Sequence, residues 1–256
     1  MYYNDKPVPV KYQILKFIAE QGVVTIEDSN RHFYPDRDNS KAIRVTLYAM
    51  GVAHLRYYSP EVKNGVWYID DPKLYFSVDM WFRDCAHYKV RPLIVHMIPH
   101  SLELNRIRTT FERDAGLTIT KWHSEQYLRA WPRWDKPEGR SDYKIPDAIF
   151  WFRKKDGTEK QFFIEYERTL KSTDRYVQIM NDYSAREDIQ EGSVIYLCHT
   201  KLIRRKLLAI AQGRYVRAER YFQILSLEGF YEHYAKEKAA RMAVANVQEA
   251  QVTQPV

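Results

Sequence analysis

The sequence predicts a mixed α/β protein, and three observations predict it. The first 72 residues read as three short helices followed by a hairpin. From about residue 117 strand and helix patterns alternate. Around "IPDAIF" and "FFIEYE" two apolar runs flank a turn signal and lie directly beside carboxylates. Hydrophobic residues make up 45% of the 256 and aromatics 14%, including 20 tyrosines, which is ample for a core in each part.

The N-terminal elements follow in order. Ile14, Leu15, Phe17 and Ile18 carry helical spacing in a first helix that stops at Gly22. Thr25 with Asp28 forms a cap-like start to a second helix, whose apolar face Phe33 closes. Asp38 or Asn39 caps a third helix ending at Gly51, with Ala42, Ile43, Leu47 and Met50 expected inward. Lys41, Arg44 and Tyr48 then fall toward solvent. "VAHLRYY" and "GVWYID" read as strands around an Asn64-Gly65 turn. Three helices and a hairpin in this order make a winged helix-turn-helix over residues 1–72. On that reading Lys41, Arg44 and Tyr48 face a DNA major groove, and Lys63 in the wing lies against the backbone. A winged helix also serves as a protein-docking module.

"DDP" at 70–72 is taken as the domain boundary, and residues 73–242 as a second domain. Leu74 to Tyr88 reads as an aromatic-rich helix, "HSLELNRIRTTFERDAG" as a helix ended by Gly116, and "TITKW" as a strand. A helix containing Tyr176, Ile179, Met180 and Tyr183 precedes the buried strand "SVIYLCHT". "KLIRRKLLAIAQG" is a helix, "YFQILSL" the last strand, and 229–242 the last helix. Residues 243–256 have little to bury and are expected to be a disordered tail.

The hairpin within the second domain carries the chemistry. "KKDG" followed by Thr158 suits a three-residue loop with Gly157 left-handed. Lys154 then pairs with Thr158, and counting back sets Asp147 opposite Glu165. Strand parity puts Glu167 on the same face. A two-residue loop would turn Asp147 away from both glutamates, so the register decides the site. A lone E-x-E at a strand end is ordinarily solvated, or paired with a neighbour such as Arg168 or Lys171. Three converging carboxylates require compensation, and Mg²⁺ or Mn²⁺ is the natural partner, since hard cations take oxygen ligands. Such an ion stabilises charge on a phosphate and acidifies a bound water. Lys171, four residues after Glu167, is placed to contact a phosphate or the attacking water. Glu125 is a fourth acidic candidate.

"IPDAIF" followed by "FIEYERTLKS" and Arg175-Tyr176 resembles the PD-(D/E)xK restriction-endonuclease-like core, and more specifically the replication-relaxation family, which includes the MOB-C class of conjugative relaxases. The matching positions are Pro146, Asp147, Glu165, Glu167, Lys171, Ser172, Arg175 and Tyr176. "HSLELN" (His100 to Asn105) and "WHSE" (Trp122 to Glu125) resemble family segments in the same order, so that most of residues 1–200 is covered. The common nuclease pattern has Lys where Glu167 stands, a departure that fits the relaxase subgroup and puts general nuclease activity in question. The resemblance implies a winged helix joined to a nuclease-like domain with a small mixed sheet. It implies metal-dependent, strand-specific nicking of DNA at a plasmid transfer origin, with Asp147, Glu165 and Glu125 holding the ion and Glu167 as ligand or base. Lys171 supports the phosphate or nucleophile. The partners it implies are duplex and single-stranded origin DNA, with auxiliary relaxosome and coupling proteins.

Other residues are read as structural. His96 and His100 stand four apart with a proline between, so the histidine-metal chemistry of other relaxases is not expected. Tyr2, Tyr3, Tyr166 and Tyr176 are imaginable nucleophiles among many tyrosines. Trp131 and Trp134, beside Arg129 and Arg133, would stack unpaired bases or pack a loop. Arg204, Arg205 and Lys206 form a phosphate-facing patch or an ordinary charged helix face. Cys85 and Cys198 make no metal spacing and read as reduced buried thiols, and the start lacks a signal-peptide core, which together suggest a cytoplasmic protein. No apolar run approaches the roughly 18 residues of a membrane span. The formal charge of +7 suits an anionic partner. Two further functions compete with the nickase. One is a non-catalytic winged-helix replication or regulatory protein whose nuclease domain is degenerate, and the other is a relaxosome scaffold that melts DNA for another subunit.

Overall fold

The computed structural model describes residues 2–3, 6–57, 62, 65–82, 93–130, 144–154, 156–213 and 219–252. It is a mixed α/β structure with two compact units, one of residues 1–109 and 122–141, the other of residues 110–121 and 142–256.

The first unit opens on a two-residue ladder, β1 (Tyr2–Tyr3) with β2 (Lys6–Pro7). Three helices follow, α1 (Val10–Gln21), α2 (Ile26–Phe33) and α3 (Ser40–Ala49), then the antiparallel pair β3 (Ala53–Leu55) and β4 (Val66–Tyr68). Gly22, at φ 78°, ends α1 in a conformation that favours glycine. Thr25 and Asp28 form a full capping box: the threonine hydroxyl accepts from the Asp28 N–H at 2.9 Å, and the Asp28 carboxylate from the Thr25 N–H at 3.1 Å. Val24 bridges to Trp67, so the stretch between α1 and α2 extends the wing pair. Leu15, Phe17, Ile18, Ile43, Leu47 and Trp67 fill the core. Ala42, expected inward, is exposed; the α3 face that packs is the narrower one of Ile43 and Leu47.

The boundary at "DDP" has a local explanation. The Asp71 carboxylate accepts the Lys73 N–H at 2.8 Å, and Pro72 is the first residue of α4 (Pro72–Trp81). Asp-Pro here is a helix start. The chain then adds α5 (Ile98–Thr109) to the first unit, where Asn105 donates to the Val23 carbonyl at 2.8 Å. Arg108 pairs with the buried Glu20 at 2.7 Å. "HSLELN" is thus part of the core of this unit.

The second unit is built on a five-stranded sheet ordered β5-β6-β7-β8-β9. Its strands are β5 (Ile119–Ser124, its first residues in this unit), β6 (Ala148–Arg153), β7 (Glu159–Glu167), β8 (Val194–Cys198) and β9 (Phe222–Ser226). β6 and β7 are antiparallel, whereas β7-β8 and β8-β9 are parallel. The parallel neighbours are joined by α7 (Thr173–Ser184) and α8 (Lys201–Ala211). β8 is buried throughout, as a central parallel strand must be. Side chains alternate across β7: Phe163 meets Tyr183 of α7, while Phe150 and Phe162 stack on the other face, where Phe111 and Phe230 pack.

The closing helix α9 (Leu227–Val252) continues well beyond residue 242. The segment after 242 is rich in alanine and free of glycine and proline up to Val252, which favours helix. That corrects the expected tail.

The capping box gives the first prediction. Thr25→Ala should lower unfolding free energy by about 1 kcal/mol in urea melts; a change within a few tenths would mean that the box does not hold α2.

Candidate functional site

The β6-β7 turn fixes everything that follows. Lys154 donates its N–H to the Thr158 carbonyl at 2.8 Å, and Gly157 has φ 84°. The loop is therefore three residues long, although Lys155 itself lies outside the described residues. The ladder runs Arg153↔Glu159 to Ala148↔Ile164, which brings Asp147 beside the end of the strand as the residue count required. Its carboxylate accepts the Tyr166 N–H at 2.8 Å. Across the parallel ladder Glu165 pairs with Tyr196 and Glu167 with Cys198.

Asp147, Glu165 and Glu167 are 7%, 1% and 1% exposed, so plain solvation does not answer their charge. Two ammonium groups do. Lys144 lies 2.8 Å from a Glu165 oxygen and 3.6 Å from Asp147, and Lys171 is ion-paired with Glu167. The Tyr183 hydroxyl donates to Glu165 from α7. Tyr196 stands fully buried on the same face as Glu165, and its hydroxyl has no hydrogen-bond partner among the described residues.

Lys171 is held by its backbone. Its N–H donates to the Tyr176 hydroxyl at 3.2 Å, and its carbonyl accepts from Lys206 at 2.8 Å. The Tyr176 hydroxyl also reaches the Thr169 carbonyl at 3.4 Å. Ser172 caps α7 by accepting the Arg175 N–H at 3.2 Å. The motif Lys-Ser-x-x-Arg-Tyr is therefore the device that ends β7, starts α7 and presents Lys171 to Glu167.

Burial pushes the Glu165 carboxyl up to about 8; Lys144 and Tyr183 oppose the rise, and the Asp147 charge adds to it. Burial likewise raises Glu167, against the pull of Lys171. The Tyr183 and Tyr196 hydroxyls are pushed well up, first by burial and next by the Glu165 charge. Tyr176 is pushed up to about 12, chiefly by burial, and Tyr166 is buried and shares a hydrogen bond with His199 at 3.1 Å. Neither tyrosine is presented as an exposed nucleophile.

The remaining expected residues divide between places. Glu125 begins α6 (Glu125–Ala130) in the first unit and pairs with Arg129 at 2.5 Å. Lys41, Arg44 and Tyr48 lie exposed on α3, joined by Val45, and Tyr48 meets Trp67 edge-on with centroids 4.7 Å apart. Lys63, Cys85, Trp131, Arg133 and Trp134 lie outside the described residues, as do the side chains of Tyr2 and Tyr3. Cys198 is a buried free thiol, pushed up to about 12 by burial and by Glu167. Arg204 and Arg205 are exposed, but Arg204 donates to the Ile224 carbonyl at 3.2 Å and Lys206 serves Lys171. Lys144 went unread in the sequence. Its signal was the spacing Lys-Ile-Pro-Asp, in which the proline disfavours a helical Ile145.

Among the described residues no helix is long and apolar enough to cross a membrane. No protein-family model, curated protein or solved structure matches the chain.

The raised Glu165 carboxyl fixes a pH dependence. Unfolded, it loses its proton near 4.5; folded, near 8. The folded state holds the extra proton in between, so the stability this group contributes is complete below about 4.5 and is lost as pH rises through 8. In chelator, the Tm of the wild type should fall across that window and Glu165→Gln should flatten the fall. An unchanged slope in the variant would assign the titration to another group.

Proposed function

We propose that the chain is a DNA-nicking enzyme of the plasmid-mobilisation type, with a winged helix that engages transfer-origin DNA and a nuclease-like unit that cuts one strand. The observation that carries this reading is the hairpin register, which gathers Asp147, Glu165 and Glu167 on one buried face with Lys171 on Glu167. The resemblance implies a small mixed sheet, and the mixed five-stranded sheet of the second unit supports the reading to that extent.

Asp147 and Glu165 offer a hard divalent cation such as Mg²⁺ or Mn²⁺ the buried carboxylate oxygens that such ions take as ligands. Among the described residues no three acidic, histidine or cysteine side chains stand ready as a metal site. Asp147 and Glu165 would hold the ion, with Glu167 as a further ligand or the base. When bound, the cation supplies charge stabilisation at the phosphate and a more acidic attacking hydroxyl. The protein's own groups do the rest. Lys171, clamped through Tyr176 and Lys206, faces the non-bridging phosphate oxygens. Glu167 would take a proton from the water that supplies the attacking hydroxyl as its oxygen bonds to phosphorus. The bond to the leaving sugar oxygen breaks, and that oxygen takes a proton from solvent.

Lys41 and Arg44 on α3 supply charge to the duplex, and Val45 and Tyr48 an apolar surface between them. A second reading, a binding protein with a spent nuclease unit, is favoured by one observation: Lys144 and Lys171 already answer the carboxylates.

Two outcomes are expected. Supercoiled plasmids carrying candidate transfer origins should give open circles from one origin only, with Mg²⁺ or Mn²⁺ and not with chelator. Asp147→Ala should lower that rate by roughly a hundredfold or more with DNA binding intact; unchanged nicking, or binding without nicking across origins and metals, would favour the second reading. Lys41→Ala and Arg44→Ala should each reduce the salt slope of duplex binding by about one, and an unaltered slope in both would remove α3 from the interface.

A further inference from the structure

We infer that Lys144 is a built-in competitor for the divalent cation: its ammonium and the metal take the same place against Asp147 and Glu165 by turns, so that Lys144 sets the metal affinity of the site. This rests on the carboxylate site described above and adds to it a residue that controls loading.

The geometry points this way from several sides. Lys144 bridges two carboxylates from different strand positions, at 2.8 Å and 3.6 Å, which is where a shared cation would have to lie. Its side chain keeps 17% of its surface exposed, whereas Glu165 keeps 1%. A lysine ammonium is a compact charge on a flexible stem, so it can withdraw to water while the carboxylates, fixed by the sheet, cannot follow. Among the described residues, Lys144 and Lys171 set two positive charges against three carboxylates once Glu165 is ionised. A divalent ion in place of Lys144 would make up that difference while Lys171 stays on Glu167.

Tyr196 supplies an independent observation. Its hydroxyl is fully buried, lies beside Glu165 in the parallel register and has no hydrogen-bond partner among the described residues. An unsatisfied buried hydroxyl is costly, on the order of 1–3 kcal/mol. Lysine docking leaves that group unserved. A cation arriving with its coordinated water brings a partner for it.

The test uses the full chain without DNA. Free Mn²⁺ is followed by electron paramagnetic resonance during titration of wild type, Lys144→Gln, Lys144→Arg and Glu165→Gln. Lys144→Gln should bind Mn²⁺ about tenfold tighter or more, since a unit charge near a partly buried site is worth at least a factor of ten. Lys144→Arg should remain close to wild type, and Glu165→Gln should lose the site. A wild-type measurement covers the case in which the glutamine variant fails to fold: the acetylation rate of Lys144, read by mass spectrometry, should rise when Mg²⁺ is added, because the ammonium is released. Equal or weaker Mn²⁺ binding by Lys144→Gln, or a Lys144 acetylation rate that Mg²⁺ leaves unchanged, would overturn the competition. The two proposals fail separately. Tighter Mn²⁺ binding with no plasmid nicked would leave the competition standing and remove the nickase. Nicking with unaltered Mn²⁺ affinity in the glutamine variant would do the reverse.

Discussion

Three carboxylates share the buried end of β7, and the arrangement of the second unit follows from the need to bring positive charge to them. Burying an ionised carboxylate without a partner costs several kcal/mol, so the local fold is shaped around the answer. Lys171 is delivered by the tight exit from β7 and is fixed through its backbone by Tyr176 and Lys206. Lys144 comes from the stretch just before β6. Tyr183 adds a hydroxyl from α7. A helix start, a strand end and a loop thus converge on one electrostatic requirement. A purely structural sheet would meet that requirement more simply with apolar side chains.

The same constraint explains what was legible in the sequence. Gly157 fixed the loop length, loop length fixed the register, and the register fixed which carboxylates meet. That chain of inference is local and follows from the two-residue period of a strand, so it could be read without the structure. The identity of the cation was less accessible. Carboxylate clusters suggest a metal, but the groups that answer these carboxylates are lysines, one of them three residues before Asp147 and outside any periodic element. The division into units was also hidden, because Asp71-Pro72 reads as punctuation between domains and acts as the capped start of α4. The length of α9 was missed for a different reason: the alanine-rich sequence after 242 favours helix by propensity and carries no apolar period to read.

In the first unit the elements followed their signals closely. Gly22, the Thr25-Asp28 box and the Ile43-Leu47 spacing each specify one boundary or one face, and the observed helices obey them. The wing is secured by the Val24-Trp67 bridge, a contact between segments more than forty residues apart that no short-range pattern contains. What α3 leaves outside is a mixed surface of Lys41, Arg44, Val45 and Tyr48.

The account stands on the coupling between the lysines and the buried carboxylates, and a double-mutant cycle measures it most directly. Urea unfolding of wild type, Lys144→Met, Glu165→Gln and the double variant, at one pH above 8, where Glu165 is ionised, and in chelator, gives the interaction energy. The account predicts a coupling of about 2 kcal/mol or more, with the double variant more stable than the sum of the two single losses implies. A coupling near zero would mean that Lys144 does not answer the charge of Glu165, and would contradict the electrostatic basis of the site.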